Sequence, residues 1–358
     1  MRESTRLLPR GGRRGRTAID CRAVVQYTCC MTTREFLALD WHLLKESPLI
    51  APPGWLAGPI IADPTFVGPD TSPDGNWHLF AHTIHGIEHF VSRDGEAWIH
   101  AGRMTGRAMR AFVVFADGTY HLFYEQPRFQ YADIMFLFRV PWRSRIVRIS
   151  SKDLVHWSAP MPVLEPSLVW HADNPYGASV SNPCVVEAGG KWILYYSAGL
   201  THVADCGFEE PTYIAAAVGK TVTGPYVPMP EPLLSPDPDL PFCNLCCGSI
   251  KVMKLDDGFV GIQNGIYMDK DGKSGSALLR LTSADGIHFV YVDREHPLFG
   301  PNEQGGGWMR SHIYACDFRP VPAMNAWYLY FNARNDWIWT RGRERIGCLT
   351  ARMQPQDI

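Results

Sequence analysis

SKDLVHWSAPMPVL, residues 151–164, recurs in altered form along the chain. It reads Ser151-Lys152-Asp153, a short turn, Trp157, then a proline-punctuated run that closes on Val163-Leu164. Ser92-Arg93-Asp94-Gly95-Glu96-Ala97-Trp98 repeats its opening, and Ser283-Ala284-Asp285-Gly286-Ile287-His288-Phe289 repeats it again and ends at Pro297-Leu298-Phe299. A more distant copy, Val222-Thr223-Gly224-Pro225-Tyr226, runs to Pro232-Leu233-Leu234. The aromatic anchors stand at 98, 157, 226 and 289, at intervals of 59, 69 and 63 residues. Self-similarity at such a period marks a repeat architecture.

A second recurring element says which one. Five times an apolar run, a short turn and an aromatic-rich run follow each other, as in Phe112-Val113-Val114-Phe115 to Tyr120-His121-Leu122-Phe123-Tyr124. The turns carry Asp74-Gly75, Asp117-Gly118, Gly189-Gly190, Asp257-Gly258 and Asn325-Ala326. The first four are dipeptides that supply positive φ for a tight hairpin. Each hairpin is followed by a third strand and by the Trp-type segment as a fourth. An all-β, five-bladed β-propeller with four antiparallel strands per blade follows, against the rival of a β-sandwich or unrelated hairpins. The chain reaches only a third strand at Gly347–Met353, and Trp41–Ile50 resembles the Trp157 segment. An N-terminal strand is therefore expected to complete the last blade, closing the ring and removing an exposed edge.

At 358 residues the length alone suggests two domains, whereas the repeat argues for a single propeller over residues 34–358. Apolar residues at 46% supply a core, and a net charge of −2 gives no basic field for nucleic acid. No apolar run approaches the roughly eighteen residues of a membrane span. Residues 1–33 are rich in arginine (Arg2, Arg6, Arg10, Arg13, Arg14, Arg16, Arg22) and read as an unstructured tail or an over-extended start, with a targeting peptide as the rival. Lacking a secretory h-region, the chain reads as cytoplasmic, with reduced thiols. Cys184, Cys316 and Cys348 fall in apolar strands as small hydrophobes, and Cys243-Asn244-Leu245-Cys246-Cys247 lacks the second pair of a zinc site.

In a propeller the start of each first strand and the loop between strands two and three face one end of the axial funnel. Those places hold Asp63, Arg110, Asn182, Gly248, Arg310 and His312, and then His82, Glu125, Asp205, Glu210, Asn332 and Arg334, with Trp337 and Trp339 beside them. Amides, charges and aromatic faces suit a hydroxyl-rich ligand. Asp63 enters an apolar strand in Ala62-Asp63-Pro64, where Pro64 is expected to hold it extended. It reads as a catalytic base or nucleophile, or else as a structural salt bridge.

The repeat, the Ala62-Asp63-Pro64 entry and the S-x-D-x-x-x-W strands resemble the arabinanase/levansucrase/invertase superfamily, glycoside hydrolase families 43, 32, 68, 117 and 130, over about Trp41 to Met353. The resemblance implies a glycosidase acting on a carbohydrate, a furanoside above all, with Asp63 in the place of the blade-one aspartate. It also exposes a departure. Where family 43 carries its acid glutamate the chain reads Cys246-Cys247-Gly248-Ser249, and the blade-three aspartate-proline is Asn182-Pro183. The acid would then come from a loop, with Glu125 and Glu210 as candidates; either could simply pair with an arginine. Arg110, Asn182, Asp205, His82, His312, Arg310, Asn332 and Arg334 are the expected substrate contacts.

His78, His82, His85 and His89 are expected on different faces, so no metal is assigned, and no cofactor is expected. Arg310, Arg334, Arg341, Arg343 and Arg345 could hold phosphate, as in a phosphorylase. The absent blade-four glutamate leaves a non-catalytic glycan-binding propeller as the reading from another class.

Overall fold

The computed structural model describes residues 31–129, 140–172, 175–302, 307–338 and 340–353. The expected tail lies outside them up to residue 30, as does Trp339. Residues 31–33 belong to the folded body: Met31 is buried, and Thr32 caps a short helix, Thr33–Leu37, through a reciprocal pair of hydrogen bonds with Glu35. The Thr33 amide donates to Asp257 at 2.7 Å, docking the helix on a hairpin turn. The chain is nearly all β, and no helix among the described residues is long and apolar enough to cross a membrane.

The strands fall into five antiparallel units. The first is Ala62–Val67, Trp77–Thr83, Gly86–Ser92 and Trp98–Gly106. The second is Met109–Ala116, Thr119–Pro127, Trp142–Ser151 and Met161–Leu164. The third is Val180–Ala188, Lys191–Ala198, Tyr213–Gly219 and Tyr226–Pro228. The fourth is Cys246–Lys254, Phe259–Met268, Ser274–Ser283 and Val290–Tyr291. The fifth is His312–Val321, Ala326–Arg334 and Glu344–Arg352. On its outer side the N-terminal strand His42–Leu43 pairs with Glu344–Arg352 in the register His42 to Thr350. Units four and five join in one sheet through a parallel bridge between Ser276 and His312.

The first strands touch one another in cyclic order. Ala62–Val67 packs on Met109–Ala116, then follow Val180–Ala188, Cys246–Lys254 and His312–Val321, and the last returns to Ala62–Val67. A buried ion pair fastens three of them: Arg319 Nη2 lies 2.8 Å from Asp317 and donates to the Val113 carbonyl at 2.7 Å, while Asp317 accepts from Thr65 Oγ1 at 2.8 Å. Every partner in this network is satisfied by another, which is the condition for a buried charge to be tolerated.

The Ser-x-Asp motif works as a local hydrogen-bond device. Ser92, Ser151 and Ser283 each donate to the aspartate two residues on, at 2.9, 3.0 and 3.0 Å. Each aspartate then accepts the two amides ahead of the aromatic anchor, an Asx turn. The turn needs a left-handed residue, supplied by Gly95, Leu154 and Gly286 at φ 76°, 62° and 77°. Two of these turns also receive the neighbouring unit. Tyr330 donates to the Gly95 carbonyl at 2.6 Å and Tyr195 to the Gly286 carbonyl at 2.7 Å. In these two copies the motif both ends a strand and docks a neighbouring unit.

Two local expectations are corrected. Asp117-Gly118 and Gly189-Gly190 do adopt positive φ at both residues, but Asp257-Gly258 does so at neither. Gly258 serves close approach instead, since a Cβ there would stand 2.8 Å from the Ser283 carbonyl oxygen. Two of the four histidines expected on different faces meet: His78 Nδ1 lies 2.9 Å from His89 Nε2, with Asp74 on the other ring nitrogen of His78, whereas His85 turns to the Leu56 carbonyl. Adjacent antiparallel strands bring alternate residues of each together, which a single-strand reading overlooks.

Candidate active site

Each first strand carries a register shift near its start, between Ala62 and Thr65, Met109 and Phe112, Ser181 and Cys184, Cys246 and Ser249, and Ile313 and Cys316. In four of them the bulge holds a left-handed residue: Asp63 at φ 51°, Arg110 at 53°, Asn182 at 48° and Gly248 at 62°. Asp63 is therefore not extended as Pro64 suggested. Its amide donates to Asn332 Oδ1 at 3.1 Å, and the bulge overrides the preference of a residue before proline. For a residue with a Cβ this backbone costs on the order of 1–3 kcal/mol, and bulges of this kind re-aim side chains. All four residues line one cavity of about 370 Å³, and Tyr314 lines it from the fifth bulge.

Four carboxylates, Asp63, Glu209, Glu210 and Glu344, and the guanidinium groups of Arg110 and Arg334 line this cavity. Asp63 Oδ2 lies 3.4 Å from His82 Nδ1, and burial lowers the pKa of His82, favouring the neutral ring. Arg110 is pinned by a 2.7 Å pair to Glu125, and its charge is felt at Glu210. Arg334 pairs with Glu344 at 2.8 Å, and Asn332 donates to the other Glu344 oxygen at 2.9 Å. Burial pushes Glu344 up, with Arg334 opposing. Glu210 is shifted furthest. Burial dominates and, with Arg110 pulling down and Glu344 and Asp63 pushing up, leaves it at about 8.

The fold brings Glu210 to a particular place. It ends the short strand Phe208–Glu210, part of a hairpin with Thr201–Val203 inserted between the second and third strands of unit three. The next residues dock on the bulge of unit four: Gly248 donates to the Pro211 carbonyl at 3.1 Å and Cys247 to the Thr212 carbonyl at 2.9 Å. Gly248 itself cannot be replaced by a carboxylate. A Cβ there would stand 2.2 Å from the Asn264 carbonyl oxygen, on a backbone already at positive φ.

Seven of the expected residues line the cavity: Asp63, Arg110, Asn182, His82, Glu210, Asn332 and Arg334. Glu125 sits behind it, fully buried, with one oxygen on Arg110 and the other accepting from the Trp142 indole at 3.0 Å. His312 is stacked beneath Tyr314 and receives or donates at Ser274 across 3.2 Å; burial lowers it to about 3. Asp205 accepts from the Ser274 amide at 2.8 Å, and Arg310 lies half-exposed against Asp336 and the Trp337 ring. None of these four lines the cavity. Glu344 and Tyr314 were missed. Glu344 begins a third strand, flanked by Arg343 and Arg345, and Tyr314 occupies the fifth copy of the Asp63 bulge. The buried Tyr314 hydroxyl has no hydrogen-bond partner among the described residues.

No protein-family model and no curated protein matches the sequence. Solved structures do match it in fold. The catalytic domain of a GH62 α-L-arabinofuranosidase from Coprinopsis cinerea is similar at 15% identity and TM-score 0.60, covering 87% of this chain and 97% of that one. A GH130 structure, from work describing glycoside hydrolases within that family of mannoside phosphorylases, is similar at 15% identity and TM-score 0.59, covering 87% and 93%. An N-acetylgalactosamine deacetylase from F. plautii is similar at 14% identity and TM-score 0.57, covering 87% and 95%. These likenesses are likenesses of fold: the chain shares its overall architecture with solved glycoside hydrolases of the family 43, 62 and 130 types.

Proposed function

We propose that residues 34–358 form a single five-bladed β-propeller that hydrolyses a glycosidic bond in its axial cavity, with Glu210 as general acid and Asp63 as base or nucleophile. The cyclic contact of five first strands supports the blade number. One observation carries the chemistry: a carboxyl raised to about 8 in the same cavity as a second carboxylate. Glycoside hydrolysis needs a pair of that kind, one protonated at neutral pH and one ionised. Glu210 has the buried setting of the acid, and Asp63 opens to the cavity beside the positive field of Arg110. The cavity suits a single sugar ring, and an arabinofuranosidase among the fold neighbours favours a furanoside.

A phosphorylase is the second reading, favoured by the GH130 neighbour. Against it, Arg110 and Arg334 are each already engaged by a carboxylate, at 2.7 and 2.8 Å, which favours water over phosphate as the attacker. The test is a panel of aryl furanosides and pyranosides with wild type, Asp63→Asn and Glu210→Gln, with and without phosphate. Turnover by wild type that both variants lose supports hydrolysis. Release of a sugar phosphate only when phosphate is added selects the phosphorylase, and binding without turnover by wild type sinks both.

A further inference from the structure

A second cavity, of about 440 Å³, opens on unit two beside the first. Arg107, Arg128, Arg143 and Arg145 line it, with Gln126 and Glu165. Glu165 pairs with Arg145 at 3.1 Å, and among the described residues no carboxylate pairs with Arg107, Arg128 or Arg143. The groove therefore holds a surplus of positive charge in a chain whose formal net charge is −2. Its walls are ordered by the backbone: the Arg128 amide donates to the Arg143 carbonyl at 2.7 Å, and the Arg128 guanidinium lies over the Phe129 ring at 5.1 Å.

The groove and the central cavity are lined by neighbouring residues of unit two. Met109 and Trp142 face the central cavity, while Arg107, two residues before Met109, and Arg143, the residue after Trp142, line the groove. Alternation along Trp142–Ser151 sends Trp142 and Arg143 to opposite sides, so that strand serves both cavities, while Arg107 stands at φ 49° in the connection before Met109. Guanidinium groups match the oxygens of carboxylates, sulfates and phosphates in a planar, bidentate way.

We propose that this groove is a subsite for an anionic group carried by a glycan, a carboxylate, sulfate ester or phosphate ester on a sugar adjoining the one in the central cavity. The inference rests on the reading of the central cavity as a glycan site, not on its being hydrolytic. The test is retention of the full chain on an array of uronate-, sulfate- and phosphate-bearing glycans printed beside their neutral parents. Wild type and Glu210→Gln are expected to retain acidic glycans about tenfold better than the neutral parents, the gain of a charged hydrogen bond. Arg107→Gln/Arg143→Gln should lose that preference, and Lys220→Gln/Lys254→Gln, with the same change in net charge, should keep it. Equal retention of acidic and neutral glycans by wild type overturns the subsite, as does an unchanged preference in the arginine double variant with an unchanged melting temperature. Inorganic phosphate or sulfate competing as well as the glycan-borne group also overturns it, in favour of a free-anion site. Preference for acidic glycans without turnover of any aryl glycoside would instead sink the hydrolase and leave the subsite standing.

Discussion

The amide of Gly248 donates to the carbonyl of Pro211 at 3.1 Å, and this bond seats Glu210 beside a first-strand bulge that has no room for a side chain. A loop of unit three thus delivers a carboxyl next to the strand of unit four where the resembling family places its acid.

Replacing Gly248 should disturb that seat. A Cβ at Gly248 meets backbone at 2.2 Å, whereas at Gly118, also left-handed at φ 65°, it meets nothing within 4 Å. Gly118→Ala should cost only about 1 kcal/mol, from backbone strain, and Gly248→Ala clearly more. Urea midpoints with equal slopes test this. Equal losses at the two sites would contradict the clash.

With Glu210 as the proposed general acid, the effect of removing it should depend on the leaving group. Glu210→Gln is expected to lower kcat about 10²–10⁴-fold on a poor leaving group such as a methyl glycoside, and far less on a dinitrophenyl glycoside that departs without a proton. A uniform loss across leaving groups would argue that Glu210 only binds.

Glu210 also sets a pH dependence. Its folded pKa, about 8, lies above the ordinary 4.5, so between those values the folded chain holds a proton that the unfolded chain has released. Stability from this group is present at low pH and declines as pH rises through that window. Activity needing the protonated acid should fall across pH 8. Glu210→Gln, which cannot lose the proton, should gain in melting temperature relative to wild type at pH 9 compared with pH 5. A pH-independent difference would contradict the assignment.

Glu125 should behave as a support for Arg110. Glu125→Gln leaves a largely buried guanidinium without its counter-charge and is expected to destabilise by about 3 kcal/mol. Glu125→Leu/Arg110→Met should recover most of that stability, because neither charge is then left alone. Chemical denaturation of wild type and the two variants checks it, and a double variant no more stable than Glu125→Gln would contradict the pairing.

The repeat was legible because its signals are local. Ser-x-Asp turns, hairpin dipeptides and alternating apolar residues act within a few positions, so residues such as Ser151 and Asp153 carry their structure in their spacing. Asp63, Arg110 and Asn182 were likewise visible as polar residues at strand starts, and their bulges repeat from unit to unit. What the sequence could not supply was which carboxyl meets which guanidinium. Glu125 and Glu210 looked alike along the chain, yet one is consumed by Arg110 and Trp142 while the other is left buried in the cavity with its proton favoured. Glu344, Tyr314 and the close approach of Asn264 to Gly248 are products of strands far apart in sequence. Desolvation and long-range pairing set the roles of these groups, and both exist only once the first strands have closed on one another.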